Sequence, residues 1–146
     1  MSEIRVTFDK DGVLPQLARK LGSVKKFGKF LRPIVDRVAL GVQFDLKKYP
    51  PPPANSRYIR TFKLRNSWQV RRAQMKAGVV SAKVRSDGSA RNRSGRYGGF
   101  VMDETMQASV HRGRWHTVQS VADDFQPVLA RSVATQARLE LARIMR

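Results

Sequence analysis

The residues that could do acid–base or metal chemistry are few. The chain has two histidines, His111 and His116, with Asp103, Glu104, Asp123 and Asp124 nearby in sequence. A His/carboxylate metal site would need these groups on one face. A separation of five suits neither a helical i,i+4 pair nor alternate positions of a strand. There is no Gly-x-Ser-x-Gly nucleophile elbow and no Gly-x-x-x-x-Gly-Lys phosphate cradle, and Gly95-Arg-Tyr-Gly98 is too short for a dinucleotide fingerprint. With no cysteine, thiol nucleophiles, thiolate metal sites and a disulfide framework are excluded. The only paired acids are Asp103-Glu104 and Asp123-Asp124, and the latter read as helix-start residues rather than Mg²⁺ ligands. The expectation is a protein without enzymatic activity, resident metal or cofactor.

Charge carries the stronger signal. Among 146 residues, 29 Lys and Arg stand against 11 Asp and Glu, a formal charge of +18. Residues 1–68 hold 15 cations and 5 acids, residues 69–100 hold 8 and 1, and residues 101–146 hold 6 and 5. The first two thirds can therefore form a basic face, and the near-neutral last third suits buried or subunit-facing surface. Such an excess calls for a polyanion or an acidic partner. Two basic stretches stand out. Lys25, Lys26, Lys29 and Arg32 interleave with apolar Val24, Phe27, Leu31, Ile34, Val35, Val38 and Val42 at 3/4 spacing, the pattern of a helix with cations on its outer side. The segment 85–96, with Arg85, Arg91, Arg93 and Arg96 and almost no apolar residue, reads as a mobile basic loop, a hairpin tip or arm. These eight cations are the candidate contacts to DNA in a channel or to an acidic partner. Aromatics beside cations (Arg57-Tyr58, Arg96-Tyr97, Arg114-Trp115) suit stacking on bases; Tyr58, Trp68 and Trp115 equally suit a core role, which the head of a strand favours for Trp68. Trp115, flanked by Arg112 and Arg114 in a polar stretch, has the composition of a protein–protein anchor.

The elements that would carry these groups follow from periodicity. Glu3–Phe8 alternates and reads as a strand closed by a turn at 9–12. Val13–Leu21 reads as a helix stopping at Gly22, and Ser23 then caps a long helix over about 23–48, with a kink or restart at Pro33. Residues 49–56 form a proline-rich strut. One helical turn within 57–68 leads into an antiparallel strand pair over Trp68–Gln74 and Gly78–Val84, followed by a third strand over Tyr97–Met102. A long polar loop over 103–117 holds both histidines. The last helix, about 120–145, carries the apolar stripe Val121, Phe125, Leu129, Val133, Ala137, Leu141 and Ile144, with Asp123, Asp124 and Pro127 in its first turn. The sum is one α+β domain over 1–146: a small antiparallel sheet of three to four strands packed with the two long helices. No apolar run approaches the roughly 20 residues of a membrane span. The N-terminal Met-Ser-Glu-Ile-Arg has no signal-peptide core, so synthesis and retention in a cytoplasm are expected, with no membrane partner.

Two stretches bear a resemblance. Tyr49-Pro-Pro-Pro with Arg57-Tyr58-Ile59-Arg60-Thr61-Phe62-Lys63-Leu64-Arg65-Asn66-Ser67-Trp68 resembles the proline-rich, Tyr-x-Arg-Thr-Gly-x-Leu-x-x-Ser-Trp segment of the tail-completion and head–tail joining proteins of long-tailed phages. Tyr97-Gly-Gly-Phe-Val-Met with Gln107-Ala-Ser-Val-His-Arg-Gly-Arg-Trp115 is similar to a later stretch of some members, ahead of their C-terminal helix. The resemblance implies a virion structural protein that forms a homo-oligomeric ring, commonly sixfold, in the neck. Its partners there would be the connector or head-completion protein and the tail tube or terminator, with genomic DNA as a non-specific contact. It implies assembly roles for Arg60, Trp68, Arg112, Arg114 and Trp115. Phe62 stands where the family usually has glycine, so the turn is expected to lack a residue at positive φ. The alternatives are a basic nucleic-acid-binding module without enzymatic activity, or another minor tail protein such as a tail terminator.

Overall fold

The structure is a computed structural model that describes residues 2–6, 13–22, 24–51, 62–76, 79–89, 91–92, 95–96, 101–103, 105, 109 and 112–146. Its elements, in chain order, are strand β1 (Ser2–Val6), helices α1 (Val13–Leu21), α2 (Val24–Leu46) and α3 (Lys63–Ser67), strands β2 (Trp68–Lys76), β3 (Val79–Ser86), β4 (Arg91–Asn92) and β5 (Gly95–Arg96), and helix α4 (Val118–Ile144). The class is α+β, with long helices in the N-terminal half and at the C-terminus. The turn at 9–12, the cap at Ser23, the turn joining β2 to β3 and most of the proline-rich strut lie outside the described residues.

The sheet is built around the antiparallel hairpin β2–β3, and β1 pairs antiparallel along the other edge of β3. Period-two alternation in β3 turns Val80, Ala82 and Val84 inward, joined by Trp68 and Ala73 of β2. Helix α2 lies on this inner face and buries Phe27, Leu31, Val35, Val38, Ala39, Val42 and Leu46 against it. Burial of this stripe on both sides of Pro33 explains why α2 runs through as one helix instead of restarting there. Proline removes one backbone donor, but the two halves remain registered on one sheet.

Helix α4 packs across α2 and α1 through Val121, Leu129, Val133 and Ala137. The helices approach closely at Gly41, where a Cβ would lie 2.6 Å from Phe125 Cε1. Helix α4 begins earlier than its apolar stripe indicates. Thr117 is the N-cap, its side chain accepting from Ser120 N at 3.0 Å while the Ser120 hydroxyl accepts from Thr117 N at 3.1 Å. Asp123, Asp124 and Pro127 consequently sit beyond the first turn, and Ile144 is exposed rather than part of the buried stripe.

The segment after β3 departs further from expectation. Residues 101 and 102 are helical, and Val101 and Met102 are buried in the common core, so the end of the expected third strand is not a strand, and its first four positions, 97–100, lie outside the described residues. The part of the sheet that is continuous in sequence is thus the two-stranded β2–β3 hairpin. Arg85 and Ser86 belong to β3. Beyond a bend at 87–89, β4 and β5 form a separate antiparallel ribbon, Arg91 paired with Arg96 and Asn92 with Gly95. Within the basic stretch 85–96, the first two residues thus end β3, and 91–92 pair with 95–96. Asp87 stops β3 by accepting from Ser89 N at 2.8 Å and from Gln69 Nε2 at 3.2 Å. The Ser89 bonds, chiefly its side chain, hold the Asp87 carboxyl below its ordinary pKa.

A side-chain carboxylate of α2 is bonded to the sheet at an irregularity of β2. Between Arg71 and Gln74 the register of β2 shifts, a bulge that takes Ala73 N out of the ladder, and Asp36 of α2 accepts its hydrogen bond. Leaving that buried donor unpaired costs roughly 1–3 kcal/mol. Asp36→Ala is therefore expected to lower stability by about 2 kcal/mol, read as a reduced urea midpoint at unchanged m-value. An unaltered midpoint would show that water replaces the carboxylate.

Candidate assembly interface

Helix α2 ends in a tight turn, with Lys47 N bonded to Gln43 O and Lys48 N to Asp45 O, and Pro50 and Pro51 then prevent its continuation. The chain leaves with Tyr49 aimed at the start of α3. There Phe62 occupies the N-cap position with φ 55° and ψ 9°, the left-handed region. Its side chain cannot accept a hydrogen bond, so α3 has no cap of its own. Tyr49 supplies one from elsewhere in the chain: its hydroxyl accepts from Arg65 N, the third helical position, at 3.0 Å. A tyrosine thirteen positions before Phe62 does what serine or aspartate does at an ordinary N-cap.

The Tyr49 ring lies between two others. It stacks on Phe62, centroids 5.6 Å apart and planes 8° apart, and meets Trp115 at 4.8 Å with a 59° tilt. The Arg65 guanidinium sits over the Phe62 ring at 5.8 Å. Arg114 donates to Pro51 O at 3.3 Å, which fastens the Trp115 turn to the start of the proline-rich segment. That turn needs Gly113 at φ 70°, a conformation a Cβ disfavours even where space is open. Phe62 remains 46% exposed, and Arg112 and Arg114 are exposed. Three aromatics with two flanking guanidinium groups, partly open to solvent, match the composition that dominates binding energy at protein interfaces.

Beneath the cluster, α3 is anchored by Ser67, which is fully buried. Its hydroxyl donates to Leu64 O at 2.8 Å and accepts from Ser86 Oγ at 2.9 Å, and its carbonyl accepts from Asp87 N at 2.8 Å. Trp68, a candidate assembly residue whose place at the head of a strand also favoured the core, is only 7% exposed and belongs to the core. As the first inward position of β2 it packs under α2, and Gln43 Nε2 donates to its carbonyl at 2.7 Å. Its indole Nε1 is buried with no hydrogen-bond partner among the described residues. The positive φ at Phe62 overturns an expectation. The turn keeps the glycine-like conformation despite its side chain.

The other site residues do not join this cluster. Lys26, Lys29 and Arg32 are exposed on α2. Further along, the outward side of the same helix turns apolar with Leu40 and Phe44, and Lys48 lies over the Phe44 ring at 5.0 Å and pairs with Asp45. Arg85 is half-buried in β3, its Nε without a hydrogen-bond partner among the described residues. Arg91 and Arg96 face each other across the β4–β5 ribbon, while Arg60, Arg93 and the side chain of Lys25 lie outside the described part. His116 is exposed, His111 lies outside the described residues, and no group of three or more His, Asp or Glu among the described residues could hold a metal. Tyr49, Phe62 and Arg65 were not identifiable as site residues in sequence. The available signal was a tyrosine immediately before a proline run, together with an aromatic at the glycine position of a motif. Comparison with protein-family models, characterised proteins and solved structures gave no match.

Proposed function

We propose that the protein is a structural component of a tailed-phage virion, a tail-completion or head–tail joining protein that forms a ring, six-membered by preference, in the neck between connector and tail tube. One observation carries this reading. The two stretches that carry the resemblance, 49–68 and 97–115, have 28 residues between them in sequence, and they meet through Tyr49, packed between Phe62 and Trp115 and bonded to Arg65, with Arg114 on Pro51. Residues that recur in a motif for a shared structural reason are expected to converge in this way. The exposed aromatic–arginine cluster then serves as the anchor to a neighbouring subunit or tail protein.

The role makes two demands on the molecule. A ring of molecules carrying +18 each repels itself, so part of the basic surface must face acidic protein or nucleic acid. Assembly must also be heterologous and closed, one patch meeting a different patch around the ring axis. The test is mass photometry of the purified protein with and without isolated tail tubes, combined with negative-stain microscopy. Closed rings, or density added at one end of the tube, are expected. A monomer at every concentration that leaves tube ends bare would overturn the assignment.

A further inference from the structure

The sheet turns its inner face to α2, and its opposite face is strongly basic. Exposed there are Arg71, Arg72 and Lys76 of β2 and Lys83 of β3, with Arg85 half-buried at the strand end. In register, Arg71 stands directly opposite Lys83, a like-charge cross-strand pair that disfavours the hairpin. The one acid in register with these residues is Glu3 of β1, beside Lys83. Between residues 46 and 102 the sequence contains a single acid, Asp87, and it is engaged by Ser89 and Gln69.

The bulge adds to the concentration of charge. Strict alternation would send Arg71 and Arg72 to opposite faces, one of them into the core. The register shift between Arg71 and Gln74 leaves both exposed, and Asp36 holds that shift by accepting from Ala73 N. The bulge thus brings adjacent arginines to the face that carries Lys76 and Lys83, and an external anion would offset this concentration of positive charge.

We propose that this outward sheet face binds double-stranded nucleic acid through its phosphates, without regard to sequence, and that it, rather than the basic half of α2, is the principal polyanion contact. Three arginines supply the planar forks that suit phosphate oxygens. The outward positions of β2 and β3 are Gln69, Arg71, Gln74 and Lys76, and Val79, Ser81, Lys83 and Arg85, with Arg72 added by the bulge. None is aromatic, so the face lacks the stacking platform that single strands use. It also lacks the charge-depleted, aromatic centre of a protein interface, which the Tyr49 cluster does possess. Phosphate binding here does not depend on the neck role, and either can fail without the other.

The test is fluorescence anisotropy with a short labelled DNA duplex, titrated between ~50 and ~200 mM salt. The expected result is a steep linear fall of log K with log salt. Arg71→Gln/Arg72→Gln/Lys76→Gln is expected to make the slope shallower by about 3, at roughly 0.9 per lost phosphate contact. The matched helix variant Lys26→Gln/Lys29→Gln/Arg32→Gln is expected to change it by less than about 1. Arg72→Gln alone, which leaves every cross-strand register pair in place, should reduce the slope by about 1 and keeps the inference testable if the triple variant misfolds. Because the sheet variant relieves like-charge repulsion, its melting temperature should stay level or rise. Equal losses from the helix and sheet variants, no duplex binding at ~50 mM salt, tighter binding of the single strand, or tighter binding of polyglutamate would each overturn the inference.

Discussion

Tyr49→Ala is expected to destabilise the protein by about 3 kcal/mol. The substitution removes two ring pairs, each contributing about 0.5–1.5 kcal/mol, and the hydroxyl that caps α3, which contributes about 1 kcal/mol. Tyr49→Phe keeps the rings and removes only the cap, so it should cost about 1 kcal/mol. Urea denaturation of both variants separates the contributions, since a constant m-value makes the midpoint shift a stability difference. Equal midpoints for Tyr49→Phe and the parent would mean that solvent caps Arg65 N equally well. Near-native stability of Tyr49→Ala would mean that the aromatic cluster contributes no more than its exposed area.

Replacement of Phe62 has its larger effect on assembly than on folding. A non-glycine residue in the left-handed region costs about 1–2 kcal/mol, and glycine relieves that cost while losing the stack on Tyr49 and gaining unfolded-state freedom. These changes nearly cancel, so Phe62→Gly should fall within about 1 kcal/mol of the parent. Phe62→Ala keeps the strain and loses the ring, and it should lie about 1 kcal/mol below Phe62→Gly. That order in the urea midpoints checks the left-handed turn, and a reversed order would rule it out in solution. Strain held at an exposed aromatic points to use of the ring. If Phe62 anchors a neighbouring subunit or tail protein, both variants should bind about thirtyfold more weakly or worse while remaining folded, the loss expected for a hot-spot residue at 2 kcal/mol. Full assembly by folded Phe62→Gly would remove Phe62 from the interface.

The two predictions share a physical origin. The α3 turn is only five residues long and cannot hold itself. It depends on Tyr49 from the end of α2 for its cap and on Ser67 for its attachment to β3. The Trp115 turn depends on the same tyrosine for packing and on Pro51 for a hydrogen bond. A defect at Tyr49 therefore spreads to both motif stretches, whereas one at Phe62 stays local to the exposed ring.

Local pattern was sufficient for element type wherever a segment met one environment along its length. The 3/4 spacing of Phe27, Leu31, Val35, Val38 and Val42 marks α2, and all five are buried as that spacing requires. Glycine at 22 ends α1 at φ 66°, and the alternation of Val80, Ala82 and Val84 identifies the inward face of β3. The partition of charge, with 23 of the 29 cations in residues 1–100, is also a property of the sequence alone. Tertiary structure decided the rest. Val101 and Met102 look like strand residues in isolation, yet the core takes them up as a helical turn. Alternation would divide Arg71 from Arg72, but Asp36, some 36 positions away, stabilises the bulge that exposes both. Phe62 adopts a glycine's backbone angle while its ring stacks on Tyr49, thirteen positions earlier in the chain. In each case a contact between residues far apart in the chain competes with local preferences on the ~1 kcal/mol scale. Periodicity carries no record of such contacts, so the elements could be read from sequence while the candidate surfaces had to be found in the folded protein.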